Sequence, residues 1–354
     1  MSFAGIPHPC ILHALRTVAA GSLFLPGSLT GVDAQSLPAS QTASTGIVID
    51  SAGVPRSYDF TLESATAKVR KQYPSAIPIA PEVPQGVKLL RNISYRSIGT
   101  RRLHMDLCLP ARTFVQPVPG IILIHGGGWQ SGDRWMELPM ALQLAGRGYV
   151  AATVEYRLSP EALYPAAVLD VKAAVRWMRA HAKECGVDTT RIAVYGGSSG
   201  GHLASLLGVT NGESEYEEGE DLLCSSAVQA VVNIDGPLDL THPEESGKDT
   251  IPSKPSAAKS WLGSTYAEQP DLWRKASPVN HLHAKMPPML FVNSSLPRFH
   301  VGRDAAVDTM ARHGIYYEIH TIPDTPHPFW LFRPWQPEVV RYIGAFLDRV
   351  FRND

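Results

Sequence analysis

The 354-residue chain has almost no charge imbalance: 32 lysines and arginines stand against 33 aspartates and glutamates, a formal net charge of −1. There is accordingly no basic field to draw in a phosphate backbone or an anionic membrane surface, and nucleic acid is not an expected partner. Charged residues of both signs are scarce, 18% of the chain against about 25% in ordinary domains. Long apolar runs do not replace them. Hydrophobic residues make up 44% and the mean hydropathy is −0.07, which excludes a polytopic membrane protein and a disordered chain alike. Only four cysteines are present, with no C-x-x-C or other zinc spacing, so neither a metal site nor a disulfide framework is indicated. Internal repeats are absent too. What is in excess is proline, 29 residues beside 29 glycines, and this predicts long ordered loops around a buried core.

The first 34 residues read as a signal peptide. Arg16 precedes an apolar stretch over 18–29, and Val32-Asp33-Ala34 offers a cut ahead of Gln35. The stretch is too short to span a bilayer, and Pro26 argues against a buried helix. A secreted or periplasmic protein is the expectation, with no membrane partner. Cleavage would remove Cys10 and leave Cys108, Cys185 and Cys224, an odd number that allows at most one bridge. Residues 35–86 form an N-terminal arm, rich in Ser, Thr, Gly and Pro to residue 60, with a short helix over 61–73 that the proline-rich 77–84 ends. The main domain, 87–354, opens on a hairpin (89–98 and 101–109, turning at Gly99-Thr100). Short apolar strands follow at 120–125, 149–156, 191–195, 228–234, 288–292 and 316–322. Between them lie helices such as 167–185, where Val168, Val171, Ala174, Val175 and Met178 recur at helical spacing. This is the alternation of an α/β fold with a mostly parallel central sheet flanked by helices. Residues 240–285, after the sixth strand, fit the alternation poorly. They read either as a cap insertion over the carboxyl edge of the sheet or as an inert surface elaboration.

Two glycine motifs carry the chemistry. Gly196-Gly197-Ser198-Ser199-Gly200-Gly201-His202 follows a strand, opens a helix, and satisfies G-x-S-x-G with either Ser198 or Ser199 at its centre. A serine at a sharp strand-to-helix turn exposes its hydroxyl beside a helix amino terminus, where developing negative charge is stabilised. About seventy residues earlier, His125-Gly126-Gly127-Gly128-Trp129 follows the third strand. Consecutive glycines there can turn backbone N–H groups toward an oxyanion without side chains in the way. Gly126 and Gly127, with the amide of Ser199, are the expected oxyanion donors.

Together with Glu155-Tyr156-Arg157-Leu158-Ser159-Pro160, these motifs make residues 87–351 resemble the α/β-hydrolase superfamily, and within it the hormone-sensitive-lipase-like esterases and the feruloyl and acetyl xylan esterases. The resemblance implies an α/β-hydrolase fold and a serine esterase that needs no metal or organic cofactor. It places the nucleophile at Ser198, because the family's serine is followed by a small residue and two glycines. His202 then packs beneath the site. The family order Ser, acid, His implies a base after the last strand, and His327 follows that strand in a loop stiffened by three prolines; His320, within the strand pattern, reads as structural. The acid departs from the family pattern, since Asn293-Ser294-Ser295-Leu296-Pro297 offers no carboxylate where H-G-x-x-D would. Asp235 at the tip of the sixth strand is the preferred acid, with Asp304 beside Arg303 as the alternative and a Ser-His dyad as the third arrangement. Trp129, Tyr156 and Trp330, with Phe332 and Trp335, lie on loops expected at the catalytic face, as core or as flat surfaces for a sugar or an aromatic acyl group. The resemblance and the export signal together imply an ester substrate on an acetylated or feruloylated polysaccharide. The rival readings are a short-chain esterase or lipase of small molecules and a catalytically dead binding module. Oligomeric state is not legible.

Overall fold

A computed structural model describes residues 47–50, 53–111, 116–247 and 255–352. The signal-peptide reading of 1–34 and the start of the arm lie outside them. Eight strands form the central sheet: β1 (Val87–Ile98), β2 (Arg101–Pro110), β3 (Val118–Ile124), β4 (Val150–Val154), β5 (Val187–Gly197), β6 (Ala230–Ile234), β7 (Met289–Asn293) and β8 (Tyr317–Thr321). Their spatial order is β1-β2-β4-β3-β5-β6-β7-β8. The β1-β2 hairpin and the β2-β4 pair are antiparallel, and every later pair is parallel. Strands β4, β6 and β7 are buried along their whole length, as expected of strands covered on both faces, and each is apolar but for one residue, Thr153, Asn233 and Asn293 respectively.

Six longer helices accompany the sheet: α1 (Leu62–Gln72), α2 (Leu138–Gly146), α3 (Ala166–Ala180), α4 (Ser199–Val209), α5 (Arg303–His313) and α6 (Gln336–Phe351). Helices α2 and α6 cover the sheet face that carries Ile121, Leu123, Ala193 and Tyr195. Helices α3 and α4 pack together, and Gly120 leaves room for Met178 of α3, since a Cβ there would stand 2.6 Å from its sulfur. The single helix expected over 167–185 ends at Ala180; a separate turn, Ala182–Cys185, follows it and is closed by Gly186 at φ 71°. Cys108, Cys185 and Cys224 are all free thiols. No helix among the described residues is long and apolar enough to cross a membrane.

Two regions outside the alternation bear on the site. Within 240–285 lie the short helices Pro243–Ser246, Ala257–Leu262 and Pro270–Lys275. Trp261 and Trp273 from this segment are fully buried. In the arm, the strand Ile47–Ile49 pairs with Pro55–Ser57, and α1 follows, capped by the Thr61 side chain on Ser64 N. The proline-rich stretch does more than end the helix: Ile77–Pro78 pairs antiparallel with Phe332–Arg333. The arm is also tied to the loop after β3, where Ser57 N donates to Gln130 O at 2.8 Å and Phe60 N to the buried Ser131 Oγ at 3.0 Å.

Candidate active site

Ser198 sits where β5 passes directly into α4, at φ 54° and ψ −124°. This is a sparsely populated conformation for a side-chain-bearing residue, with a cost of about 1–3 kcal/mol. The surrounding glycines let the turn close: a Cβ on Gly196 would lie 2.1 Å from the Gly200 carbonyl carbon, and one on Gly200 would lie 2.2 Å from Ile124 O. Ser198 N donates to Ile234 O at 2.8 Å, which ties the turn to the end of β6. The residue after Ile234 is Asp235, so the topology itself brings that carboxylate beside the serine.

His327 Nε2 lies 2.8 Å from Ser198 Oγ, and its Nδ1 lies 3.1 Å from Asp235 Oδ2. Asp235 is fully buried; its Oδ1 accepts from Ser294 N at 2.8 Å and from Asn293 Nδ2 at 3.3 Å. Asp304 is not within reach of the imidazole. It is 80% exposed and paired with Arg303, whose Nη1 donates to Asn293 Oδ1 at 3.1 Å. A chain of hydrogen bonds thus runs from Arg303 through Asn293 and Asp235 to His327 and Ser198. The imidazole is stacked flat on Phe299, centroids 3.5 Å apart, and meets the Trp330 ring edge-on at 5.4 Å. Phe299 carried no sequence signal, because it stands in the loop where the family's acid would be and only the assembled sheet brings that loop to the histidine. His320 points elsewhere, stacked on Tyr342 and bonded to Glu318.

The His125 loop faces the serine from β3. A Cβ on Gly126 would lie 3.2 Å from Ser198 Cβ, and Gly127, at φ 131°, has its own carbonyl taken by Gln130 N and Ser131 N. Among the described residues no protein acceptor takes a hydrogen bond from the Gly126 or Gly127 amide. Ser199 opens α4, so its N–H has no intrahelical acceptor either. His125 keeps the loop in place: burial lowers its pKa, and the neutral ring donates from Nδ1 to Gly126 O at 2.7 Å.

Three aromatic expectations resolve differently. Trp330 and Trp129 line the cavity above Ser198, although Trp129 is largely buried, stacked on Trp261 at 5.0 Å and edge-on to His202 at 5.1 Å. Tyr156 does not reach the cavity. It lies behind the oxyanion loop, stacked on His125 at 4.4 Å and donating to His125 O at 3.0 Å, so its place is that of a prop and not of a substrate contact. Phe332 is buried, and Trp335 packs edge-on against Tyr73. His202 lies beneath the site, its Nε2 donating to Ala276 O at 2.8 Å, and burial pushes its pKa down to about 4.

The cavity has a volume of about 810 Å³. Ser198, His327 and the glycine loop form its floor; Phe60, Lys68 and Gln72 of the arm form one wall, and Glu245, Ala257, Leu296 and Arg298 another. Arg298 is held by Glu245 through two bonds, at 2.6 and 3.1 Å. Among the described residues no cluster of His, Cys, Asp and Glu is arranged to hold a metal.

About three quarters of the chain resembles solved esterases. The thermophilic esterase Est2 of Thermogutta terrifontis, solved with butyrate, is 28% identical, with a TM-score of 0.62 over 75% of this chain and 95% of that one. The same protein has been solved phosphorylated by paraoxon. A truncated carbohydrate esterase from gut microbiota, 24% identical with a TM-score of 0.65 over 77% of this chain and 99% of its own, shares the fold. Esterase LipC of Mycobacterium tuberculosis is 33% identical over 185 residues, 51% of this chain and 44% of LipC. The chain spans about half the length of the curated relatives it matches. The BD-FAE family profile matches residues 105–298, a span that holds the glycine loop, the serine turn and Asp235, and the chain belongs to that family of α/β-hydrolases.

Proposed function

We propose that the chain is a serine carboxylic ester hydrolase. The observation that carries the reading is Ser198 Oγ within 2.8 Å of His327 Nε2, with Asp235 3.1 Å from the other ring nitrogen, on the floor of an open cavity. In this mechanism His327 Nε2 takes the Ser198 proton as Oγ attacks the ester carbonyl, and the imidazolium is steadied by Asp235. The oxyanion of the tetrahedral intermediate receives the amides of Gly126, Gly127 and Ser199. The intermediate collapses as His327 returns the proton to the leaving alcohol. Water, deprotonated by His327, then splits the acyl-enzyme and releases the acid. Paraoxon labelling tests it: a diethylphosphoryl adduct on the Ser198 peptide, with loss of p-nitrophenyl butyrate hydrolysis, is expected. An intact protein that neither hydrolyses any ester nor takes the label would be a binding module.

The finer reading is an exported enzyme that deacylates acetylated or feruloylated polysaccharide. An arm and an insertion that leave about 810 Å³ above the serine favour a bulky alcohol, and polar Gln72, Lys68 and Arg298 on the walls suit a hydroxyl-rich one. Rates on acetylated and feruloylated xylo-oligosaccharides against p-nitrophenyl butyrate decide it; a preference for the simple ester assigns the chain to short-chain esters. Amino-terminal sequencing of secreted material, expected to begin near Gln35, tests export.

A further inference from the structure

We infer that Glu137 is a positioning residue for the base, acting by holding the Trp330 indole against both His327 and the turn that presents Ser198; the inference rests on the esterase reading above. Glu137 ends the turn of 3-10 helix Arg134–Glu137 just before α2 and is 1% exposed. A buried carboxyl in such a place ordinarily has a cation beside it. Here, among the described residues, none is paired with it: the neighbouring Arg134 is committed to Asp106, Glu155 and Asn92. Glu137 instead accepts from Trp330 Nε1 at 3.2 Å, and the buried Tyr195 hydroxyl is its other hydrogen-bonding neighbour.

Trp330 is placed so that this bond matters. Its indole lies over Gly197, the residue before the serine, so closely that a Cβ there would meet Nε1 at 2.6 Å. Its other side meets the His327 ring at 5.4 Å, nearly perpendicular. One indole therefore touches the chain on both sides of the 2.8 Å bond between Ser198 and His327, and a single polar contact fixes its rotation. Tyr195, two residues before Gly197 on β5, is fully buried next to the same carboxyl. Burial pushes the Glu137 carboxyl up to about 7, so the neutral form is populated near neutral pH. In that form a carbonyl oxygen still accepts from Trp330 and the O–H can face the Tyr195 hydroxyl. The arrangement needs an acceptor at this position, and the charge is dispensable. That separates a positioning role from an electrostatic one and names the substitution that preserves it, Glu137→Gln.

The test is a double-mutant cycle on the full chain with p-nitrophenyl butyrate, with thermal melts of every variant. Glu137→Leu and Trp330→Phe should each lower kcat by about tenfold with KM within about twofold, since misplacement of the base by a fraction of an ångström weakens chemistry and not binding. Glu137→Gln should recover kcat to within about threefold of wild type. The double variant Glu137→Leu/Trp330→Phe should be no slower than either single variant, because both remove the same hydrogen bond. Should Glu137→Leu fail to fold, Trp330→Phe and Glu137→Gln carry the same comparison. Single variants that melt earlier but keep kcat within twofold would overturn the inference, as would losses that multiply in the double variant. A wild-type protein inert toward all esters would instead remove the esterase reading on which the inference rests.

Discussion

The floor of the cavity and its arm wall are held in place by different means. Gly126, Gly127, Asp235 and Ser199 each stand at the carboxyl end of a strand or the start of α4, and Ser199 and Asp235 are buried. The wall is α1 and the segment before it; of the helix only Val69 is buried, and Phe60 is 41% exposed. Two hydrogen bonds to the glycine loop, a two-residue strand pairing with Phe332–Arg333, the Tyr73 hydroxyl donating to Asp324 Oδ1 at 3.1 Å and the packing of Val69 and Ala76 on the core fasten it. Reacting atoms must be fixed to fractions of an ångström; the packed sheet edge does that for Ser198 and Asp235, and Phe299 and Trp330 do it for His327 on its loop. A wall that selects a substrate needs reach and chemistry, so it can be assembled from surface contacts.

Substitutions in the floor should therefore act on turnover by orders of magnitude. Ser198→Ala is expected to lower kcat on the order of 10⁵–10⁶-fold, whereas Ser199→Ala should stay within about fivefold because only the Ser199 backbone amide is used. A diethylphosphoryl label retained in Ser198→Ala would reassign the nucleophile. Next in size is the acid: Asp235→Asn should cost on the order of 10³–10⁴ in kcat through the wrong imidazole tautomer. Asp304→Asn, which alters an exposed pair with Arg303, should cost less than about threefold. A loss of the larger size confined to Asp304→Asn would transfer the role to that residue, and near-full activity in both would leave a dyad.

The floor also has a pH signature, smaller and readable in stability. His202 is buried beneath it with Trp129 and Trp261 edge-on to its ring, and its pKa is lowered to about 4 in the folded protein against about 6.5 in the unfolded chain. The unfolded state therefore binds the proton first as pH falls. Stability from this group is complete above about pH 6.5, declines through the window from 6.5 to 4, and is lost below 4. The shift corresponds to about 3 kcal/mol. His202→Gln, which keeps a donor toward Ala276 O, should flatten the urea-denaturation stability between pH 7 and pH 4 by that order relative to wild type; parallel pH dependences would contradict it.

These differences explain what the sequence discloses. The serine turn and the glycine loop are legible because their demands are local: Gly196 and Gly200 are needed by contacts a few residues away or on the adjoining strand. The strands β3, β4, β6 and β7 and the inner half of β5 are legible for the same reason, as largely apolar stretches buried on both faces, whereas β8 at the sheet edge carries Glu318 and His320 among its apolar residues. Asp235 could be ranked above Asp304 only through the neighbour relation of β5 and β6, which is a property of topology. Phe299 and Glu137 were illegible, since each is brought to the site by a loop or turn whose destination no spacing encodes. Tyr156 stays open in the sequence between core and substrate surface for a related reason: an aromatic residue at the carboxyl edge can face the cavity or prop the loop beside it, and the stacking on His125 that decides for the prop is visible only in three dimensions.

The smallest expected effect tests the wall itself. Phe60 lies over the glycine loop, with a Cβ at Gly128 only 3.2 Å from its ring, and Lys68 Nζ stands 5.3 Å above the ring while donating to Asp59 O at 2.9 Å. The side chain of Phe60 faces the cavity, but the bond that fastens the arm to the loop comes from its backbone N–H to Ser131 Oγ. Phe60→Ala therefore removes a flat apolar surface and leaves the fastening intact. An aromatic contact of this kind contributes about 0.5–1.5 kcal/mol beyond its buried area, so KM for a feruloylated or acetylated oligosaccharide should rise roughly two- to twelvefold. The kcat for p-nitrophenyl acetate, too short to reach the arm, should stay within about twofold. Lys68→Ala, at an exposed position, should move KM by no more than about threefold. If Phe60→Ala instead lowered kcat on both substrates in equal measure, the ring would be supporting the oxyanion loop, and the wall would belong mechanically to the floor.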